Sequence, residues 1–451
     1  MGLTHLNEYR LRGAIRLKKI GIVGGGAAGA LVAIHLLETF ESGDEVLIFE
    51  PSLEVGRGVP YGTSEPMHLL NVRCSNMSAF VDRPHHFSEW YARAMEIPVS
   101  DAGKQFAPRC EYGRYIGELL MLAAENSAGH LTVIRERAIE IQNLPTLSVK
   151  TEGGATIPID ELVLATGHLG PRTPTELEVI EDSPHYLRNP WAPNALSCIE
   201  SQDSVLILGT GLTMVDLVLS LVSRGHSGLI LARSRRGLIP RTHRLGTTLP
   251  FDPSSLDRRH LAKSLIDFLR AAGDNWRAAM DGIRPHTQDI WEQLSWEDRR
   301  RFVSRLRPFW DAHRHRIPEV TSEILQGLVE LGRLDIGIGR LKSVTVESDG
   351  FRVETSTELI RTDWILNCTG PDLQVERAKI PILESVIAHG LATYDPLGLG
   401  LIVDSDGRTS RAGHVWALGP LCRGSRWETT AVPEIRGQAA RIAELLMRAP
   451  A

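Results

Sequence analysis

One pattern occurs twice in this chain and limits what it can fold into. Residues 20–24 (Ile-Gly-Ile-Val-Gly) are an apolar, β-prone run. Glycines follow, then an apolar stretch of helical length over 28–37, then a second β-prone run at 46–50. The same order returns about 185 residues later, with runs at 204–208, 213–222 and 229–232. Each copy predicts a strand–turn–helix–strand unit, which buries a parallel strand under a helix and begins a doubly wound sheet.

The turns carry the chemistry. Gly24-Gly25-Gly26-Ala27-Ala28-Gly29 fits G-x-G-x-x-G. In that motif Gly24 permits the tight turn, Gly26 lets a pyrophosphate approach the backbone, and Gly29 lets helix and strand pack closely. The free N–H groups and dipole of the helix start then favour the phosphates. Glu50, at the end of the next run, suits a ribose hydroxyl. The position near the N-terminus and a matching C-terminal segment favour FAD here over NAD. The second loop, Gly209-Thr210-Gly211-Leu212-Thr213-Met214, keeps the first two glycines and puts Met214 at the third. Its next strand ends in Arg233-Ser234-Arg235-Arg236, with no acid in the place of Glu50. Cations there accept a 2′-phosphate, so NADPH is expected rather than NADH.

Other expected elements are a helix over 113–125, strands near 131–135, 147–151, 162–166, 343–346, 351–355 and 364–368, and a final amphipathic helix over 434–447. Residues 255–330 have helical spacing and few β-branched runs. The expected fold class is therefore α/β: two interleaved Rossmann-like dinucleotide-binding domains with a helical insertion. The boundaries are 1–198 and 365–451 for the FAD-binding domain, and 199–364 for the NAD(P)-binding domain with its insertion at about 255–330.

Composition narrows the function. The net charge of −5 opposes general nucleic-acid binding. Cys74, Cys110, Cys198, Cys368 and Cys422 contain no C-x-x-C, which argues against a disulfide framework, a zinc site or a thioredoxin-reductase type of chemistry. No metal site is expected. The first 19 residues are polar and basic, with Arg10, Arg12, Arg16, Lys18 and Lys19, and no apolar run reaches membrane-spanning length. A cytoplasmic protein without a membrane or nucleic-acid partner is the expectation; oligomeric state is left open.

Further segments bring a family into view. Gly58-Val59-Pro60-Tyr61-Gly62-Thr63 and His68-Leu69-Leu70-Asn71-Val72 match loops near a flavin. Leu164-Ala165-Thr166-Gly167-His168 and Asn367-Cys368-Thr369-Gly370-Pro371 look like paired strand ends, and Trp427–Arg436 looks like a closing flavin contact. Trp310–Arg316 matches a helical segment. Over most of residues 19–445 the chain resembles the two-dinucleotide FAD/NAD(P)-binding flavoproteins, and within them bacterial proteins related to flavin monooxygenases and N-hydroxylases. The resemblance implies flavin contacts at Pro51, Arg57, Gly58, His68, Leu70, Asn71, Ala138, Thr166, Gly167, Thr369, Gly370, Gly419, Thr430 and Val432. Two departures stand out. Glu181 replaces a glycine of the F-x-G-x-x-x-H-x-x-x-W/Y fingerprint, whose nearest match is His185–Trp191, and Gly419-Pro420 replaces Gly-Asp.

The resemblance also implies a chemistry. NADPH reduces the flavin, molecular oxygen gives a peroxyflavin, and a small, amine-bearing substrate takes the distal oxygen. Asn71 is the candidate catalytic side chain. Arg314 and Arg316, with His313 and His315, are candidates for an anionic substrate, or else a surface or interdomain face of the insertion. Two alternatives stay open: an NAD(P)H-dependent reductase or oxidase passing electrons to a small acceptor, and a non-catalytic flavin-binding redox sensor.

Overall fold

The computed structural model describes residues 17–143, 146–244, 246, 248–257, 261–409 and 413–448. Arg10, Arg12 and Arg16 lie outside them. The chain is α/β, with two parallel five-stranded sheets and a smaller antiparallel sheet beside each.

The first unit starts with β1 (Lys19–Val23), α1 (Ala27–Leu37) and β2 (Glu45–Phe49). Helix α2 (Arg109–Asn126) leads into β3 (His130–Ile134). An antiparallel sheet of β4 (Ala138–Gln142), β5 (Ser148–Thr151) and β6 (Thr156–Pro158) follows, and β7 (Glu161–Leu164) returns to the main sheet. The strands are near-continuous apolar runs because both faces are covered. Ile20, Ile22, Val46 and Ile48 pack in one core with α1 and α2; Val23, Leu47 and Phe49 pack in another with the antiparallel sheet.

The second unit repeats this plan. It contains β8 (Tyr186–Leu187), β9 (Val205–Leu208), α3 (Leu212–Ser223) and β10 (Ile230–Ser234). The insertion follows, ending with α4 (Arg307–Arg314), and then come α5 (Glu319–Glu330) and β11 (Leu334–Ile338). Antiparallel β12 (Leu341–Glu347), β13 (Gly350–Thr355) and β14 (Leu359–Thr362) precede β15 (Trp364–Asn367). Strand β16 (Val415–Ala417) rejoins the first sheet beside β7, and α6 (Val432–Arg448) packs with α1.

Strand membership shifts the expected boundaries. Tyr186–Leu187, placed in the first segment, pairs with β15 in the second sheet, and residues 365–367 belong to that same strand β15. Helix α5 is the crossover between β10 and its parallel neighbour β11, with Leu325 and Leu328 in the second unit's core. The insertion therefore closes earlier than residue 330. The chain leaves at Arg241–His243 and returns at Ile317, where the two segments exchange backbone hydrogen bonds of 2.9 Å. Its core, with Ile283, Trp291, Phe302 and Trp310, packs on Leu399 and Trp427 of the C-terminal part.

Candidate functional site

Both glycine loops open into one cavity of about 1590 Å3. Gly24, Gly26, Ala27, Ala28 and Glu50 line it from the first unit; Gly209, Gly211, Thr213, Arg235 and Arg236 line it from the second. A neighbouring space of about 970 Å3 is walled by Glu50, Pro51, Ala138 and Thr166 at the ends of β1 and β2.

The loops share one construction. Gly24 has φ +102°, and a Cβ on it would stand 2.4 Å from the Ala165 carbonyl oxygen. Gly209 has φ +112°, and its Cβ would stand 2.1 Å from the Cys368 carbonyl oxygen. Each loop is thus pressed against the end of the neighbouring parallel strand, at the segments Ala165-Thr166-Gly167 and Cys368-Thr369-Gly370. That contact explains why these strand ends and the glycine loops occur together. Gly29 acts in packing, since a Cβ there would meet the Gly24 carbonyl oxygen at 2.0 Å. Beside Gly211 a Cβ would meet nothing within 4 Å. At Gly26 the atom nearest to such a Cβ is Gly58 Cα at 3.6 Å, and the open space at the second helix start suits a diphosphate.

The side chains around the first loop fit a nucleotide as well. Glu50 accepts hydrogen bonds from the Gly25 and Ser52 amides at 2.8 and 2.9 Å, which fixes its carboxylate at the cavity wall. Thr166 Oγ1 is buried without a partner, and a buried orphan of this kind calls for a ligand. Arg57, Gly58, Leu70, Asn71, Gly167, Thr369, Gly370, Thr430 and Val432 also line the cavity. The Asn71 carbonyl accepts from His243 Nε2 at 3.0 Å, while its side-chain amide makes no hydrogen bond among the described residues.

The comparisons agree with this geometry. Residues 21–169 match the model of a family described as FAD-NAD(P)-binding. This segment is an FAD-NAD(P)-binding domain. No curated protein matches the chain in sequence. Among solved structures, the cadaverine monooxygenase DfoA from Erwinia amylovora, bound to FAD, is similar over 96% of this chain and 94% of its own, with 12% identity and TM-score 0.66. The ornithine N-hydroxylase of Kutzneria sp. 744, described with reduced FAD, NADP+ and L-ornithine, covers 96% and 99%, with 14% identity and TM-score 0.64. The bacillithiol disulfide reductase of Staphylococcus aureus covers 96% and 98%, with 15% identity and TM-score 0.58. The whole chain therefore has the two-dinucleotide flavoprotein fold.

Against that FAD-NAD(P)-binding frame, several sequence-derived assignments change. Arg233 is buried, donating to Glu358 and Asp335 at 2.6 Å each, so its charge is already balanced. Arg233 reaches the cavity wall together with Arg235, Arg236 and Arg340, which are not so neutralised. Met214 is fully buried in the second unit's core. The Gly419 amide donates to Gln438 Oε1 at 3.2 Å and so is not free for a cofactor. His68 is buried and saturated: Nδ1 pairs with Thr63 Oγ1 at 2.8 Å, and Nε2 with the Asp216 carbonyl and Ser220 Oγ at 2.9 Å. Burial lowers its pKa, so the ring is neutral and ties its own loop to α3. Arg109 of α2 pairs with Asp216 of α3 across the same junction.

Arg314 and Arg316 do not line the cavity. Arg314 pairs with Glu428 at 3.4 Å and Glu434 at 3.8 Å. Arg316 grips Asp281 through both terminal nitrogens at 3.1 and 3.0 Å. Both brace the insertion. The cavity is instead reached by Arg307, Asp311, His315 and Arg423. Of these, the sequence points to His315 beside Arg314 and Arg316, and Asp311 lies in the same Trp310–Arg316 segment; Arg307 and Arg423 carry no sequence signal.

Proposed function

We propose that this protein is an FAD- and NADPH-dependent monooxygenase that oxidises a small amine-bearing substrate. The observation that carries the proposal is the cavity shared by both glycine loops, in which a donor and an acceptor cofactor would meet. FAD, when bound, accepts electrons from NADPH and delivers them to oxygen.

The chain's own residues bind, orient and shield. The amides at the start of α1, with Glu50, hold the FAD nucleotide, and those at the start of α3 the NADPH diphosphate. Arg235, Arg236 and Arg340 receive the 2′-phosphate. Helix α6 begins at Val432 on the cavity wall, so its positive end stabilises negative charge on the flavin pyrimidine. The Asn71 amide is free to hydrogen-bond an oxygen or the substrate amine. Trp191 and Leu373 help wall the cavity and exclude water.

Disulfide chemistry, which the reductase neighbour's name describes, finds no support. Cys368 lines the cavity, burial pushes its thiol well above the usual range, and it is a free cysteine. Among the described residues, no helix is long and apolar enough to cross a membrane.

The test is aerobic NADPH oxidation with a panel of small amines, measuring peroxide alongside product. The proposal expects an amine that accelerates oxidation, with N-oxygenated product replacing peroxide. Peroxide matching NADPH throughout, whatever amine is added, overturns it in favour of the oxidase alternative.

A further inference from the structure

Asn71 lines the cavity from a stretch of chain that is anchored on either side of it. The Leu70 amide donates to the Ala107 carbonyl at 2.8 Å, and the Cys74 amide to the Gln105 carbonyl at 2.9 Å. Between those anchors Asn71 has one hydrogen bond among the described residues, and it comes from a distant part of the chain. His243 Nε2 donates to the Asn71 carbonyl at 3.0 Å. His243 itself does not line the cavity.

The donor is held firmly. A carbonyl can only accept, so Nε2 carries a proton. Burial pushes the ring pKa down to about 4, so near neutral pH that is its single proton. Phe106 packs on the ring with centroids 4.9 Å apart, and the Arg73 guanidinium lies 4.9 Å from the Phe106 centroid. Phe106 stands between Gln105 and Ala107, the two residues that anchor the Asn71 stretch. The backbone under the ring is fixed too. The His243 amide donates to the Ile317 carbonyl at 2.9 Å, Arg277 Nε to the Thr242 carbonyl at 3.0 Å, and Thr242 Oγ1 to Ser322 Oγ of α5 at 2.8 Å. The ring therefore reaches from the root of the insertion, on the second unit, to a residue of the first. Holding a carbonyl fixes the plane of its peptide, which limits the directions open to the Asn71 side chain.

We propose that His243 is a positioning residue for Asn71: it keeps the Asn71 amide on the cavity while the root of the insertion is seated on the first unit, so that the second unit governs the polar group of the first. This rests on the monooxygenase proposal above, in which that amide bonds an oxygen or the substrate amine. Without the His243 donor the amide loses its set direction, and more of the electrons from NADPH end in peroxide.

The test compares FAD-reconstituted wild type with His243→Phe, His243→Gln, Asn71→Ala and the double variant His243→Phe with Asn71→Ala. Phenylalanine keeps a ring against Phe106 and removes the donor; glutamine keeps a neutral N–H. Hydrogen–deuterium exchange needs no turnover. Over residues 69–74 it should quicken about fivefold in His243→Phe, the loss of one hydrogen bond, and stay near wild type in His243→Gln. Peroxide formed per NADPH is then measured with the amine that most stimulates oxidation. It should rise about threefold or more in His243→Phe, return toward wild type in His243→Gln, and be no higher in the double variant than in Asn71→Ala. A residue that only staples the two units would add its loss to that of Asn71→Ala. His243→Leu carries the same comparison should the phenylalanine variant take up no FAD. Unchanged exchange at 69–74, or losses that add in the double variant, overturns the role. A wild type that yields no N-oxygenated product from any amine overturns the monooxygenase proposal; the exchange result then decides alone whether His243 holds the Asn71 stretch.

Discussion

At the scale of single residues, the fold leaves no room at the first glycine of each loop. Gly209→Ala would place a methyl against the Cys368 carbonyl at a φ that L side chains avoid, costing about 1–3 kcal/mol locally. FAD content should survive, while the rate of NADPH-driven flavin reduction in stopped flow falls about tenfold or more. A normal rate would show that the second loop does not serve the donor. The 2′-phosphate assignment has its own test. Arg340→Gln and Arg235→Gln should each raise KM for NADPH by roughly tenfold and leave KM for NADH unchanged. Arg233→Gln should instead act on stability, because its guanidinium already holds Asp335 and Glu358. Equal losses with both nucleotides would remove the arginines from phosphate binding.

At the scale of elements, helices α2 and α3 are joined across the two units by Arg109–Asp216, with His68 beside them. Removing one partner of a mostly buried pair strands the other charge. Asp216→Asn should therefore cost up to about 3 kcal/mol in denaturant unfolding. The double replacement Arg109→Met with Asp216→Leu should recover much of that loss, and strictly additive losses would show the pair is not coupled. What was legible in the sequence also sorts at this scale. The glycine loops, the strands around them and the paired Thr-Gly strand ends were readable because each rests on local backbone geometry. The role of α5 was not, because a crossover helix and an insertion helix share one periodicity; only the pairing of β10 with β11 separates them. Arg233 was misread because it faces two carboxylates about 100 residues or more away, at 335 and 358. Arg423 was missed for the converse reason: its Nε is buried without a hydrogen-bond partner.

At the scale of the whole molecule, two histidines tie stability to acidity. Burial pushes His243 and His315 from 6.5 down to about 4. Each is neutral in the fold, while the unfolded chain takes up a proton below about 6.5. Unfolding therefore binds protons between those values, and stability falls as pH drops from about 6.5 to about 4. Thermal unfolding across that range checks it; a flat Tm would contradict the burial of these rings. The larger architecture repeats a single plan, a parallel sheet with helices on one face and a three-stranded antiparallel sheet on the other, so that two cradles face one cavity. The most direct test of that shared cavity is an anaerobic NADPH titration of the FAD-reconstituted protein, followed by flavin absorbance. The account predicts that an equimolar amount of NADPH bleaches the bound flavin. Flavin that binds yet stays oxidised with excess NADPH, or a protein that takes up no flavin, would contradict it.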